Sequence, residues 1–267
     1  MIVLLLILGI FTGTIAGLFG VGGGILFTPI LFYLFTGVGV TDPAVWAIGT
    51  SLICTFLSSL SSTLQQRNES NIYLQQGLIV GLIGTMGVYF GKEIVMSDWF
   101  TDEVFVFMFS LLLILVSILF VRKSNVVQQK VIQDRDLTFV ESSGTGFASG
   151  FMSSLAGIGG GVVMVPVMNL IFKLDLSKAV SISSLAIVLI SLSGWLQYAF
   201  FGGSPNGATQ YTIGYVDFGT ALPLLFGAFI GGFLGVKAGV VLSIKITNRL
   251  FALLLFSISL YMLYSLI

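Results

Sequence analysis

Ten apolar stretches divide this chain of 267 residues, and their lengths dictate the solvent in which it folds. They run over residues 2–19, 25–37, 44–63, 73–91 and 103–121, and again over 142–157, 161–172, 179–201, 215–236 and 246–266. A helix that crosses the hydrocarbon core of a bilayer needs roughly 20 apolar residues. Most of these stretches approach that length, and the second of each set is the short one. Charged residues make up 8% of the chain, against roughly a quarter in soluble domains, too few to coat a water-soluble body of this size. The expected fold class is an all-α polytopic membrane protein. No basic residue precedes the first stretch, and the motif that ends it recurs later, so it reads as mature structure rather than a signal peptide.

The second set of stretches repeats the first. Gly17–Leu31 (GLFGVGGGILFTPIL) matches Ser154–Met168 (SLAGIGGGVVMVPVM), which places Gly20, Gly22, Gly23, Gly24 and Pro29 opposite Gly157, Gly159, Gly160, Gly161 and Pro166. Ile48–Leu52 matches Ser181–Leu185, and Gly87 and Gly91 match Gly231 and Gly235. The polar segment 122–141 then links an N-terminal repeat, residues 1–121, to a C-terminal repeat, residues 142–267. Let each stretch either cross or form half of a re-entrant pair. Arg67, Arg122, Lys123, Lys130, Arg135, Lys173, Lys178, Lys237, Lys245 and Arg249 then fall on one side, and Lys92 alone on the other. The positive-inside rule makes the rich side cytoplasmic. That puts the linker in the cytoplasm and both termini on the non-cytoplasmic face. An odd number of segments per half makes the halves an inverted repeat.

The chemical inventory removes whole classes of function. A formal net charge of zero lacks the basic footprint of a nucleic-acid binder. With no histidine and a single cysteine, Cys54, the chain cannot assemble a Ser-His-Asp triad, a Cys-His pair, a His-based metal site or an internal disulfide. Cys54 itself reads as a small hydrophobe. No cofactor or metal is expected. A membrane-embedded enzyme would need an acid, base or metal group inside the bilayer, and an accessory subunit is the other rival reading.

Each glycine in a helix interior costs up to about 1 kcal/mol relative to alanine. The runs Gly22-Gly23-Gly24 and Gly159-Gly160-Gly161 therefore predict breaks, and a following proline suits the first turn of the helix that restarts. Each half would hold a Gly-rich broken or re-entrant hairpin. Free amides in a bilayer are tolerated only where they line a cavity or are covered by protein, and a helix start favours an anion. The candidate binding residues are those six glycines with the hydroxyls of Thr50, Ser51, Ser183 and Ser184 on the third stretch of each half. Close helix packing is the alternative use of glycine, and the one expected at Gly87, Gly91, Gly227, Gly231 and Gly235. Lys92 and Lys237, at helix ends, are candidates for a vestibule or for snorkelling to headgroups.

At these residues the chain resembles the TauE/SafE family of sulfite and organosulfonate exporters. The likeness is carried by the duplicated Gly-x-Gly-Gly-Gly with its proline (Gly20 to Pro29, Gly157 to Pro166), by Gly49-Thr50-Ser51 and its partner Ser183-Ser184, and by the glycine-spaced helix of each half. It covers nearly the whole chain and departs at Ile182, which stands where the first repeat has Gly49. The resemblance implies a multi-pass cell-membrane permease whose partners are the lipid bilayer and a small sulfur-containing anion such as sulfite or an organosulfonate, usually exported. Another small anion is the alternative substrate.

Overall fold

A computed structural model of the chain describes residues 2–19, 24–66, 73–125, 135–201, 207–241 and 244–266. Gly22 and Gly23 lie outside these residues. The first half supplies helices α1 (Ile2–Phe19), α2 (Gly24–Val38), α3 (Pro43–Gln66), α4 (Leu74–Val95) and α5 (Asp102–Asn125). The second supplies α6 (Phe139–Ala156), α7 (Gly161–Pro166), α8 (Leu176–Phe200), α9 (Phe218–Val241) and α10 (Ile244–Tyr264). A π-helical turn, Val167–Ile171, continues α7, and a small antiparallel hairpin of β1 (Thr212–Ile213) and β2 (Val216–Asp217) leads into α9.

Within α3, α4, α5 and α8, the stretches Pro43–Leu60, Leu74–Val95, Asp102–Val121 and Lys178–Phe200 are long and apolar enough to cross a membrane. The outer faces agree: Phe107, Leu111 and Leu115 of α5, Phe226, Phe229 and Ile230 of α9, and Leu253, Phe256 and Leu260 of α10 are all exposed. Such faces are tolerable only against lipid. Inside, Phe27, Phe35, Trp46, Phe105, Phe109, Tyr198 and Phe251 are fully buried.

The principal helix pairs join one half to the other: α1 packs on α9, α4 on α6, α3 on α8 and α5 on α10. Lipid provides no hydrophobic drive between helices, so the close pairs rely on small residues that let backbones touch. A Cβ at Gly9 would land on the Leu224 carbonyl, at Gly13 on that of Ala228, at Gly227 on that of Leu6 and at Gly231 on that of Ile10. In the other pair, a Cβ at Gly87 would strike the Phe147 carbonyl, at Gly146 that of Val80 and at Gly150 that of Gly84. The packing role expected at Gly87, Gly91, Gly227 and Gly231 is thus observed.

Both close pairs are parallel, since contacts advance in step along α1 with α9 and along α4 with α6. Gly77, Gly81 and Gly84 meet Leu185, Leu189 and Ile190 in order, which sets α8 parallel to α4. Gly49 against Tyr198 and Leu52 against Gly194 set α8 antiparallel to α3. The Asp217 amide donates to Thr50 Oγ1 at 3.1 Å, bringing the start of α9 beside the start of α3. The α1–α9 pair consequently runs opposite to the α4–α6 pair.

Candidate functional site

The second glycine run makes a turn that only glycine fits. Helix α6 opens with a capping box, in which Thr138 Oγ1 accepts from the Glu141 amide while the Glu141 carboxylate accepts from the Thr138 amide. It ends at Gly157, whose amide donates to the Ser153 carbonyl at 2.7 Å. Gly157, Gly159 and Gly160 have φ of 70°, 72° and 79°, a left-handed region that costs other residues roughly 1–2 kcal/mol each. The chain then doubles back. A Cβ at Gly160 would lie 2.7 Å from the Ser149 carbonyl, and Val163 and Val167 return along α6 beside Ser149 and Thr145. The prolines differ from expectation. Helix α2 is already formed at Gly24, so Pro29 falls in its second turn, and Pro166 ends α7 where the π-helical turn takes over. A missing N–H inside a helix removes one backbone bond.

The turn is seated against the first half. Ser51 Oγ, on α3, donates to the Gly157 carbonyl at 2.7 Å and accepts from Thr28 Oγ1, on α2, at 3.0 Å. A Cβ at Gly24 would come within 2.6 Å of Thr55 Oγ1 and 3.0 Å of the Ile158 carbonyl. One at Gly159 would meet Thr55 Cγ2 at 2.5 Å and Ile187 Cγ2 at 2.9 Å. Tyr198 OH holds the end of α6 through the Ser154 carbonyl at 2.8 Å. Gly24 and the Gly157–Gly160 turn are therefore neighbours, closed in by Thr55 and Ile187.

This junction contains polar atoms without partners. The hydroxyls of Thr55, Ser149 and Ser153 are buried and have no hydrogen-bond partner among the described residues. Each buried unsatisfied group costs about 1–3 kcal/mol. From Ser149 a groove of about 260 Å³ runs between α6 and the α7 arm past Thr145, Val163 and Val167 to Glu141 and Phe172. At its mouth Arg135 grips the Glu141 carboxylate with both terminal nitrogens, at 2.8 and 2.7 Å, and reaches the Phe172 carbonyl at 3.4 Å. Nearby, Lys178 bonds Asp136 at 2.8 Å, and this hydrogen bond holds the Asp136 carboxyl below the usual carboxylate range. No cluster of His, Cys, Asp or Glu suited to a metal occurs among the described residues.

The candidate residues named from the sequence divide into groups. Gly24, Gly159, Gly160, Gly161 and Ser51 come together at the junction, Gly161 against Ile187. Gly22 and Gly23 lie outside the described residues. Thr50 points elsewhere: its hydroxyl accepts from Asp217, a fully buried N-cap whose carboxylate also bonds the Thr209 amide at 2.9 Å, the Thr209 hydroxyl and the Thr220 amide at 3.1 Å. Ser183 and Ser184 both return their hydroxyls to the Val180 carbonyl, at 3.0 and 2.8 Å, with Ser183 one turn before Ile187. Lys92 is buried, pairs with Glu93 at 3.0 Å and lies 5.9 Å from the Phe201 ring.

Thr28, Thr55, Ser149 and Ser153 were not among the sequence candidates, although signals for them exist. Thr55 follows Ser51 by four residues and so shares its helix face. The buried face of α6 is Ser142, Thr145, Gly146, Ser149, Gly150, Ser153 and Ser154, a stripe of small and hydroxyl residues in a supposedly apolar stretch.

Known proteins are similar along the same length. The family described as sulfite exporter TauE/SafE matches residues 5–262. A protein of Methanocaldococcus jannaschii named a probable membrane transporter protein is 30% identical over 260 residues, covering 97% of this chain and 94% of its own. The similarly named YunE of Bacillus subtilis is 31% identical, covering 87% and 86%. A probable membrane transporter protein of Xylella fastidiosa is 28% identical, covering 94% and 91%. No solved structure matches. With its apolar helices and lipid-facing surfaces, the chain is a multi-pass membrane protein that belongs to the TauE/SafE sulfite exporter family of membrane transporters.

Proposed function

We propose that this protein is a secondary transporter or uniporter that carries small sulfur oxyanions, such as sulfite or an organosulfonate, out of the cell by alternating access around the junction of the two glycine breaks. The observation that carries this reading is the set of buried, partnerless hydroxyls of Thr55, Ser149 and Ser153. Native interiors satisfy nearly all their polar groups, and the exceptions mark places where a ligand or water completes the bonding. Here the missing partner is an acceptor-rich anion. At Gly24, Gly159, Gly160 and Gly161 the missing Cβ lets the two halves close against Thr55, Ser149 and Ile187, and Ser51 ties them together there; Gly22 and Gly23, outside the described residues, join the proposed site by their place in the glycine run.

The opposed directions of the α1–α9 and α4–α6 pairs support an inverted repeat, the layout in which one half rocks against the other around a midplane site. The basic residues support a cytoplasmic linker and termini on the other face. The groove that starts at Arg135 and Glu141 and ends at Ser149 is then the route from the cytoplasm.

Thr55→Val, Ser149→Ala and Ser153→Ala test the assignment in proteoliposomes loaded with sulfite, sulfoacetate or acetate. Wild-type protein releases the sulfur anions and not acetate. Each variant loses about tenfold or more of this flux, equivalent to about 1.4 kcal/mol, while its melting temperature stays level or rises because an unsatisfied group has been removed. Undiminished flux in all three variants would refute the site. An accessory subunit would show neither flux nor stabilisation by the anion.

A further inference from the structure

We infer that the site takes its substrate as a monoanion and rejects dianions. The inference rests on the transport reading above and goes beyond it to the ionisation state of the cargo.

The segments that bring side chains to the junction are α2, α3, α6, α7 and α8, and in their whole length they carry two charged residues, Glu141 and Lys178. At 1.5 Å per residue, Glu141 lies about 12 Å from Ser149 and about 18 Å from Ser153 along α6, and Lys178 lies about 13.5 Å from Ile187 along α8. Both are engaged at the molecular end, by Arg135 and by Asp136. Of the neighbouring helices, α4 contributes Lys92, which follows Gly91 at its contact with Ser154 and pairs with Glu93; α5 opens with Asp102 and Glu103, Asp102 accepting from the Ala44 amide at the start of α3; and Asp217, just before α9, has its carboxylate occupied by Thr209 and Thr220. The side chains of Arg122 and Lys123 of α5 and Lys237 of α9 lie outside the described residues. What faces a bound anion at the junction is therefore a set of neutral dipoles: the hydroxyls of Thr55, Ser149 and Ser153 and the backbone of the glycine turn.

Neutral dipoles discriminate by charge. Their attraction for an ion grows in proportion to its charge, whereas the cost of stripping its hydration grows with the square of the charge. Doubling the charge doubles what the hydroxyls return and raises the cost about fourfold. A fixed cation at the site would offset the difference, and none is placed there among the described residues. For an oxyanion whose second proton dissociates near neutrality, as in sulfite, the species carried is the hydrogen form. Each anion then brings its own proton, which it releases after exit, and the protein needs no titrating side chain at the site.

Three probes separate the possibilities in proteoliposomes of the full chain held at equal internal and external pH, with flux through protein-free vesicles subtracted. Sulfite changes from monoanion to dianion as pH rises, methanesulfonate is a monoanion throughout and sulfate is a dianion throughout. The expected result is sulfite flux falling about tenfold per pH unit above its second dissociation, level methanesulfonate flux and no sulfate flux. Sulfate carried as well as methanesulfonate, or sulfite flux indifferent to pH, overturns the inference while leaving the transport reading intact. Sulfite and methanesulfonate declining together also overturn it, because the titrating group then belongs to the protein. Flux of none of the three from folded protein overturns the transport reading and the inference with it.

Discussion

Replacing Gly157 with alanine tests how the two halves close on each other. At φ 70° an alanine pays roughly 1–2 kcal/mol for a left-handed backbone. Its Cβ would overlap Ser51 Oγ and lie 2.7 Å from Thr28 Oγ1 and 3.2 Å from Ile48 Cα. Ser51 has to rotate away, giving up its 2.7 Å bond to the Gly157 carbonyl, a net loss of about 0.5–1.5 kcal/mol. Ile48 Cα is backbone and cannot rotate, which adds overpacking of about 1–3 kcal/mol. The total, about 2.5–6.5 kcal/mol, is a large part of the roughly 5–15 kcal/mol that holds a typical domain folded. Unfolding of the purified protein in detergent micelles measures it. Ser51→Ala provides the decisive partner, since it removes the overlapping oxygen. The double variant should be more stable than the sum of the single effects by about 1–3 kcal/mol, the backbone cost remaining. Gly144→Ala on the same helix, with nothing within 4 Å of the new methyl, should be neutral or gain up to about 1 kcal/mol. A Gly157→Ala protein as stable as wild type, or strictly additive energies in the pair, would refute the claim that the absent Cβ lets the Thr28–Ser51–Gly157 chain close.

Two further variants test the scaffold around the site. Gly231→Leu drives a side chain into the Ile10 carbonyl across the α1–α9 contact, so it should lower the melting temperature by several degrees, a loss of about 1–3 kcal/mol or more, before it alters selectivity among anions; an unchanged melting temperature would contradict the packing role. Thr50→Val strands the buried Asp217 amide and should cost about 1–3 kcal/mol, while the protein that remains folded keeps wild-type flux; a selective loss of flux at unchanged stability would return Thr50 to the binding site.

Much of the architecture was legible because it depends on local properties. Stretch length and apolarity foretold helices such as α4 and α5, and the four-residue spacing of Gly87 and Gly91 foretold a close-packing face. The break at Gly159-Gly160-Gly161 was legible for the same reason: repeated glycine disfavours a helix whatever surrounds it. The prolines were misplaced because α2 is already helical at Gly24, and the helix tolerates Pro29 in its second turn.

The site itself was only half legible. The sequence by itself determined an all-helical multi-pass membrane chain, the duplicated glycine motif and the scarcity of charge along its apolar stretches. Tertiary structure alone decided which hydroxyls meet there. Thr50 and Ser51 adjoin in the chain but project about 100° apart around α3, so packing sends one to Asp217 and the other to Gly157. Ser183 and Ser184 turn back on their own helix. Thr55 and Ser149 reach the glycine turn from different halves of the chain, Thr55 against Gly24 and Gly159 and Ser149 against Gly160. Periodicity records where a residue sits on its own helix. The rotation and depth of one helix against another are set by the sum of long-range contacts, here the backbone-to-backbone seams of α1 with α9 and α4 with α6, and no single segment carries that information.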